Sequence, residues 1–303
     1  ANKIRAINGL SLEVRRGELV GFLGPNGAGK TTTMSILSTE IEKTFGEITV
    51  GGLDVSNLEE RNMLRSQAIL GFCPQFDALF ESLTVMEHFA LWGTIQGETE
   101  TGAISLGQEL AYAIGLKSYF NVQSSKLSGG NKRKLSIALA LLGSPDVLLL
   151  DEPSTGVDVS ARRVIWNLLH GFREHAAVLL STHSMEEAVA ISDRIAVVVK
   201  GKVAADGTVA ELQQKYGEGF VLEVMCEAGC GDKVEEFVIQ GSLCGVLKER
   251  FDERLKFILD PSVVDLASAF EIMESTKCGV KFFSISHATM EDIFMNLLLK
   301  KNN

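Results

Sequence analysis

The chain reads as α/β: a mostly parallel, doubly covered sheet with a helical insertion, followed by a small α+β domain of ferredoxin-like, βαββαβ order. Three features lead there. Apolar runs short enough for buried strands alternate with helical stretches up to about residue 216. A glycine-rich turn joins the first such run to the first helix. Beyond Gly217, Glu218 and Gly219 the order changes to strand, helix, two strands, helix, strand.

Taken in order, residues 10–14 alternate apolar and polar and predict a strand, and residues 19–23 predict a buried one. A helix is expected over 30–38, directly after the glycine-rich turn, and a short strand over 69–72 before Pro74 and Gln75. Residues 84–142 are mostly helical by spacing, so an insertion is placed at about 76–142, ahead of an apolar strand over 147–151. Helix 159–172, strand 177–181, helix 185–191 and strand 194–200 follow. A domain boundary is expected near residue 217, dividing a domain over 1–216 from a small one over 217–303. The second carries predicted strands at 220–226, 245–251, 255–259 and 280–285, with helices at 233–239, 263–273 and 290–299.

The 303 residues are 46% apolar and 22% charged, ordinary globular material with ample core. A net charge of −10 counts against a nucleic-acid surface, which needs a clustered basic field. No signal peptide is read at the start. No apolar stretch approaches the roughly 20 residues a spanning helix needs. The cysteines at 73, 226, 230, 244 and 278 contain no CxxC pair and are expected as reduced thiols. A zinc site from the last four is the weaker alternative, since no second close pair supports it.

Residues 24–31 fit G-x-x-x-x-G-K-[ST], between a strand and a helix. Glycines there let backbone N–H groups face phosphate, and the helix N-terminus adds about half a positive charge behind them. Asn26, Gly27, Ala28, Gly29, Lys30, Thr31 and Thr32 are the candidate phosphate binders, with Lys30 reaching the β- and γ-phosphates and the Thr31 hydroxyl on Mg²⁺. Asp151 ends an apolar strand, a place to hold Mg²⁺, and Glu152 follows it, a place to align and deprotonate water. Gln75, just after a strand, is a candidate to touch the metal or the water and to link the nucleotide to the insertion. His183, after strand 177–181, is a candidate contact for a γ-phosphate. Asp158 either caps the helix that follows or reaches a partner. Ser128, Gly129 and Gly130 open a further helix, with Ser128 as its N-cap and bared N–H groups ready for phosphate. The adjoining Lys132, Arg133 and Lys134 read as a solvated basic face.

In this order these residues resemble the nucleotide-binding domain of ABC (ATP-binding cassette) transporters. The resemblance rests on the P-loop (24–31), Gln75, the LSGGN signature (127–131), the acidic strand end (147–152), Asp158 and His183. It implies an ATPase using ATP and Mg²⁺. It also implies two such domains stacked head to tail, each ATP lying between one P-loop and the other domain's Ser128, Gly129 and Gly130. The variants GPNGAGKTTT, GFCPQFDAL, LSGGNKRKLS and STHSMEEA are similar to the A subfamily, associated with lipid movement across membranes. Residues 284–294 resemble part of that subfamily's small regulatory domain. GPNGAGKTTT and NKRKLS look more like the second of its two cassettes, with departures at Phe72 and Val157. The resemblance implies transmembrane domains as partners and a place on the cytoplasmic face of a membrane. With no transmembrane segment of its own, the chain is expected to be part of a larger polypeptide or a separate subunit. The aromatic residue that stacks on adenine in that family has no counterpart in residues 1–18. Two alternatives are a soluble, non-transport ABC ATPase and a cassette that binds ATP for regulation but hydrolyses it poorly.

Overall fold

A computed structural model describes residues 5–56, 60–217, 219–260, 262–276 and 278–300. Glu218, in the expected linker, lies outside the described residues. The chain divides into two compact units, residues 1–208 and 209–303.

The first unit runs β1 (Leu19–Leu23), α1 (Lys30–Leu37), β2 (Thr49–Val50), β3 (Leu53–Asp54), α2 (Glu60–Ala68) and β4 (Leu70–Cys73). The insertion follows as α3 (Val85–Ile95), α4 (Glu100–Ala113) and α5 (Gly129–Leu141). Then come β5 (Val147–Asp151), α6 (Val159–Phe172), β6 (Ala177–Thr182), α7 (Met185–Ile191), β7 (Arg194–Val199) and β8 (Lys202–Gly207). Six strands form one sheet in the order β4-β5-β6-β1-β7-β8. All neighbours are parallel except β7 and β8, which pair antiparallel. Every residue of β1 is buried, as expected of a strand covered on both faces.

Successive side chains of a strand point to opposite faces, so each strand feeds two cores. Leu19, Leu148, Leu150, Val178 and Leu180 pack with Ile137 of α5 and with Ile165 and Leu169 of α6. Val20, Phe22, Leu149, Leu179 and Ala196 pack on the other side with Met34 of α1. A third core lies within the insertion, where Val85 and Phe89 of α3 meet Ala111 of α4 and Leu135 and Leu139 of α5. The Thr84 side chain accepts from the Glu87 amide, and the Glu87 carboxylate accepts from the Thr84 amide, a reciprocal cap that starts α3.

Because β4, β5, β6 and β1 are adjacent and parallel, their carboxyl ends lie side by side. This brings Gln75, Asp151, His183 and the P-loop to one edge of the sheet.

Residues 10–14 do not form the expected strand. Their alternation is real: Leu10, Leu12 and Val14 are partly buried against the core on the α1 side, while Ser11 and Glu13 are exposed. Alternation reports a half-buried extended chain, and a ladder also needs a paired backbone.

The second unit runs α8 (Val209–Tyr216), β9 (Phe220–Cys226), α9 (Gly231–Gln240), β10 (Val246–Phe251), β11 (Arg254–Leu259), α10 (Leu266–Ser275), β12 (Val280–His287) and α11 (Met290–Lys300). Its four strands form an antiparallel sheet in the order β10-β11-β9-β12. Val234 and Val238 of α9 and Ala269 and Met273 of α10 cover Leu222, Val224, Leu255, Phe257 and Leu259.

Candidate active site

The P-loop turn is shaped by two glycines at positive φ, Gly27 at 78° and Gly29 at 100°. A side chain at Gly29 is excluded twice over, because its Cβ would stand 2.5 Å from the Ala6 carbonyl oxygen. Gly29 is the residue from which α1 starts, so the helix N-terminus faces the loop. Lys30 is buried, and its Nζ donates to the carbonyls of Gly24 at 2.7 Å and Pro25 at 3.3 Å. Burial pushes the ammonium below the usual lysine range, opposed by the nearby Glu152 and Asp151 carboxylates. Thr31, in the first turn of α1, is exposed, as are Asn26 and Gly27.

At the end of β5, Asp151 and Glu152 are 1% and 7% exposed, so both carboxylates act in a largely desolvated setting. The Ser181 hydroxyl donates to Asp151 Oδ1 and accepts from the Glu152 amide at 3.1 Å. Glu152 sits at φ 50°, in the left-handed region that side chains avoid. That strained turn directs Oε1 to 3.8 Å from Lys30 Nζ and 3.2 Å from His183 Nδ1. Oε2 accepts from the Thr155 hydroxyl at 3.1 Å. The His183 side chain is 53% exposed, so it bridges a buried carboxylate and open space. Gln75 is exposed in the turn after β4.

Ser128 caps α5, its hydroxyl accepting from the Asn131 amide at 3.3 Å. Asp158 caps α6, accepting from the Ala161 amide at 2.9 Å, and that bond holds its carboxyl below the usual aspartate range. A Cβ on Gly130 would stand 3.8 Å from Asp158 Oδ2, so the signature and the cap of α6 are neighbours within one chain. Lys30, Glu152 and His183 thus come together around one carboxylate, with Asp151 beside it. Ser128, Gly129 and Gly130 make a separate opening at the start of α5.

Arg133 corrects the expectation of a solvated basic face. It is only 3% exposed, and its guanidinium donates to the carbonyls of Pro74 (2.6 Å), Asp151 (2.7 Å), Glu152 (3.0 Å) and Pro153 (3.0 Å) and to Asp77 Oδ1 (3.2 Å). Helical phase carried the signal: Arg133 lies three, four and seven residues before the buried Ser136, Ile137 and Ala140. Ser181 was also missed, because one serine inside an apolar strand is hard to tell from a core-filling hydroxyl. Among the described residues no group of three or more His, Cys, Asp or Glu is arranged to hold a metal ion, and the five cysteines are unpaired. No described helix is long and apolar enough to cross a membrane.

Residues 7–155 match the ABC transporter family. ATP-binding cassette sub-family A member 2 of Homo sapiens is 36% identical over 305 residues, covering 99% of this chain and 12% of that protein. The retinal-specific phospholipid-transporting ATPase ABCA4 of Homo sapiens is 37% identical over 301 residues, covering 96% of this chain and 13% of that protein. The chain therefore spans about an eighth of the length of these relatives. Among solved structures, the dimeric structure of MJ0796, a bacterial ABC transporter cassette, is similar with a TM-score of 0.64 and 25% identity, over 68% of this chain and 91% of that one.

Proposed function

This chain is an ABC transporter ATP-binding cassette, an ABC ATPase similar to members of sub-family A, and on that premise we propose that it powers movement of lipid or another amphipath across a membrane. It does so from the cytoplasmic face, joined to transmembrane domains and stacked head to tail on a second cassette. The variants at the P-loop and signature favour the second cassette position of a two-cassette transporter.

The observation that carries the mechanism is the buried Glu152 carboxylate, held between Lys30 at 3.8 Å and His183 at 3.2 Å. ATP binds with its phosphates on the amides of residues 26–29 and the N-terminus of α1. The Lys30 ammonium, already held by carbonyls at the loop, serves the β- and γ-phosphate oxygens. Glu152 orients water and accepts its proton, which contributes typically ~10²–10⁴-fold. His183, on the exposed side of Glu152, contacts the γ-phosphate.

The donors that would hold Mg²⁺ are all hard oxygens (the Thr31 hydroxyl, the Asp151 carboxylate and the Gln75 amide), which fits a metal bound through few protein ligands plus phosphate. When bound, Mg²⁺ neutralises charge on the phosphate oxygens. Ser128, Gly129 and Gly130 serve the partner's nucleotide.

Residues 217–303 form a ferredoxin-like regulatory domain. Support comes from the strand order β10-β11-β9-β12 in an antiparallel sheet covered by α9 and α10.

Glu152→Gln tests the central assignment. Turnover is expected to fall at least 100-fold, within the general-base range, while ATP affinity stays within about twofold of the unaltered chain and a closed dimer accumulates on a sizing column with ATP. Unaltered turnover in this variant removes Glu152 as the base.

A further inference from the structure

Arg133 leaves α5 just over one turn from the helix start, two residues after the signature, and ends between two segments from different strands. One is the turn after β4, which carries Gln75; the other is the end of β5, which carries Asp151 and Glu152. A guanidinium has five N–H donors in a fixed fork, and here all five are used. Nε donates to the Pro153 carbonyl; Nη1 donates to the Pro74 carbonyl and Asp77 Oδ1; Nη2 donates to the Asp151 and Glu152 carbonyls. Four of the five acceptors are backbone carbonyls, so the side chain fixes main-chain position. The charge is nearly dry, its side chain 4% exposed against 24% for Asp77, the one carboxylate that it meets. A charge in that setting persists only where every donor is satisfied.

Two consequences follow from the acceptors. The carbonyls of Asp151, Glu152 and Pro153 span the residue at φ 50°, so Arg133 holds in place the strained turn that aims Glu152. The Pro74 and Asp77 contacts bracket Gln75. The same side chain therefore clamps both turns to the helix that begins at Ser128, Gly129 and Gly130.

We infer that Arg133 is a positioning residue that makes the Gln75 turn, the Glu152 turn and the signature helix move as one body, so that displacement at Gln75 is transmitted to the attacking-water position and to the signature opening. The catalytic part of this rests on the reading of Glu152 as the base. Lysine cannot replace arginine here, because an ammonium offers three donors around one point and cannot span acceptors on two turns.

The test uses the full chain with Mg-ATP and compares Arg133→Lys and Asp77→Asn with the unaltered protein and with Glu152→Gln. Turnover, equilibrium ATP affinity and amide hydrogen exchange are read together. Arg133→Lys should lower kcat at least tenfold, keep ATP affinity within about twofold, and raise exchange at residues 75–78 and 152–155 together while β1 and β6 stay protected. Asp77→Asn touches only the first turn. A rise in exchange at 152–155 in that variant is transmission through Arg133, and it serves as the test should the lysine variant fail to fold.

Loosening confined to one turn, or kcat unchanged while the melting temperature alone drops, overturns the inference. Glu152→Gln separates the two readings. If it turns over ATP normally, the base assignment falls, whereas the paired exchange at the two turns stands or falls with Arg133 alone.

Discussion

The two units differ in what they bury. Among the described residues, every buried polar or charged side chain (Lys30, His88, Arg133, Asp151, Glu152, Ser181 and Glu187 among them) lies in residues 1–208. The core of 209–303 is Leu, Val, Ile, Phe, Met, Ala and Cys; the ion pairs of Arg250 with Asp232 and Glu235 lie toward the surface, and that of Lys256 with Asp292 is half-buried. Desolvated charge disfavours folding unless it is paired, so its concentration marks where the chain does chemistry. In the parallel sheet, ends of neighbouring strands converge and can place several such groups side by side. In the antiparallel sheet of the second unit they are spread over both edges. One unit is organised around a reaction and the other around packing.

The largest expected effect of a single change on stability lies in the packing unit. Phe257 of β11 is fully buried, and Phe257→Ala should cost the second unit about 3–5 kcal/mol. Urea melts followed by exchange within 209–303 read this, with ATP affinity unchanged. A change in turnover at unchanged affinity is what the regulatory reading requires. If the unit loosens and turnover does not move, that reading fails.

A smaller effect on stability, and a larger one on chemistry, is expected at Ser181→Ala. The hydroxyl serves both the Asp151 carboxylate and the Glu152 amide. Its loss leaves a buried acceptor short of a partner, at about 1–3 kcal/mol. Turnover should fall by more than ATP affinity, measured as kcat against Kd. Lowered stability with intact turnover would place Ser181 among packing residues and blur the contrast between the units.

Legibility in the sequence followed the same division of burial. β1, β5, α6, α7 and β9 are read to the residue, because apolar runs between polar turns leave one assignment. Short pieces escaped: the two-residue strands β2 and β3 have too few side chains for a period, and β8, KVAADG, carries only intermittent burial at the sheet edge. Lys30, Glu152 and His183 are findable by motif. Arg133 and Ser181 carry no motif, and what they do depends on carbonyls and carboxylates brought together from distant segments. Residues 10–14 show the reverse error, where side-chain alternation was right and the inferred ladder was not.

The smallest effect concerns His88, a buried titratable group far from the P-loop in sequence. It lies in α3 between Phe80 and Trp92, with ring centroids 6.4 and 6.0 Å away. Its Nε2 accepts from the Phe80 amide at 3.0 Å, which assigns the proton of the neutral ring to Nδ1, facing the Thr84 carbonyl at 2.8 Å. Protonating Nε2 would set an N–H against an N–H inside the insertion. Burial holds the imidazole below its usual value of 6.5, opposed by the Thr84 bond and by Glu87. A histidine with a lowered folded pKa binds protons more readily when unfolded, so its stabilisation is full above about pH 6.5 and declines as pH falls through the folded pKa. The melting midpoint of the first unit should therefore hold from pH 8 to 7 and sink below 6.5. His88→Gln, whose amide can accept from Phe80 and donate to Thr84, should flatten that descent. Parallel descents in the two proteins would show that this buried ring is a packing group with no part in the pH response. The distinction between titrating and packing interiors would then need to be drawn inside the first unit as well as between the two.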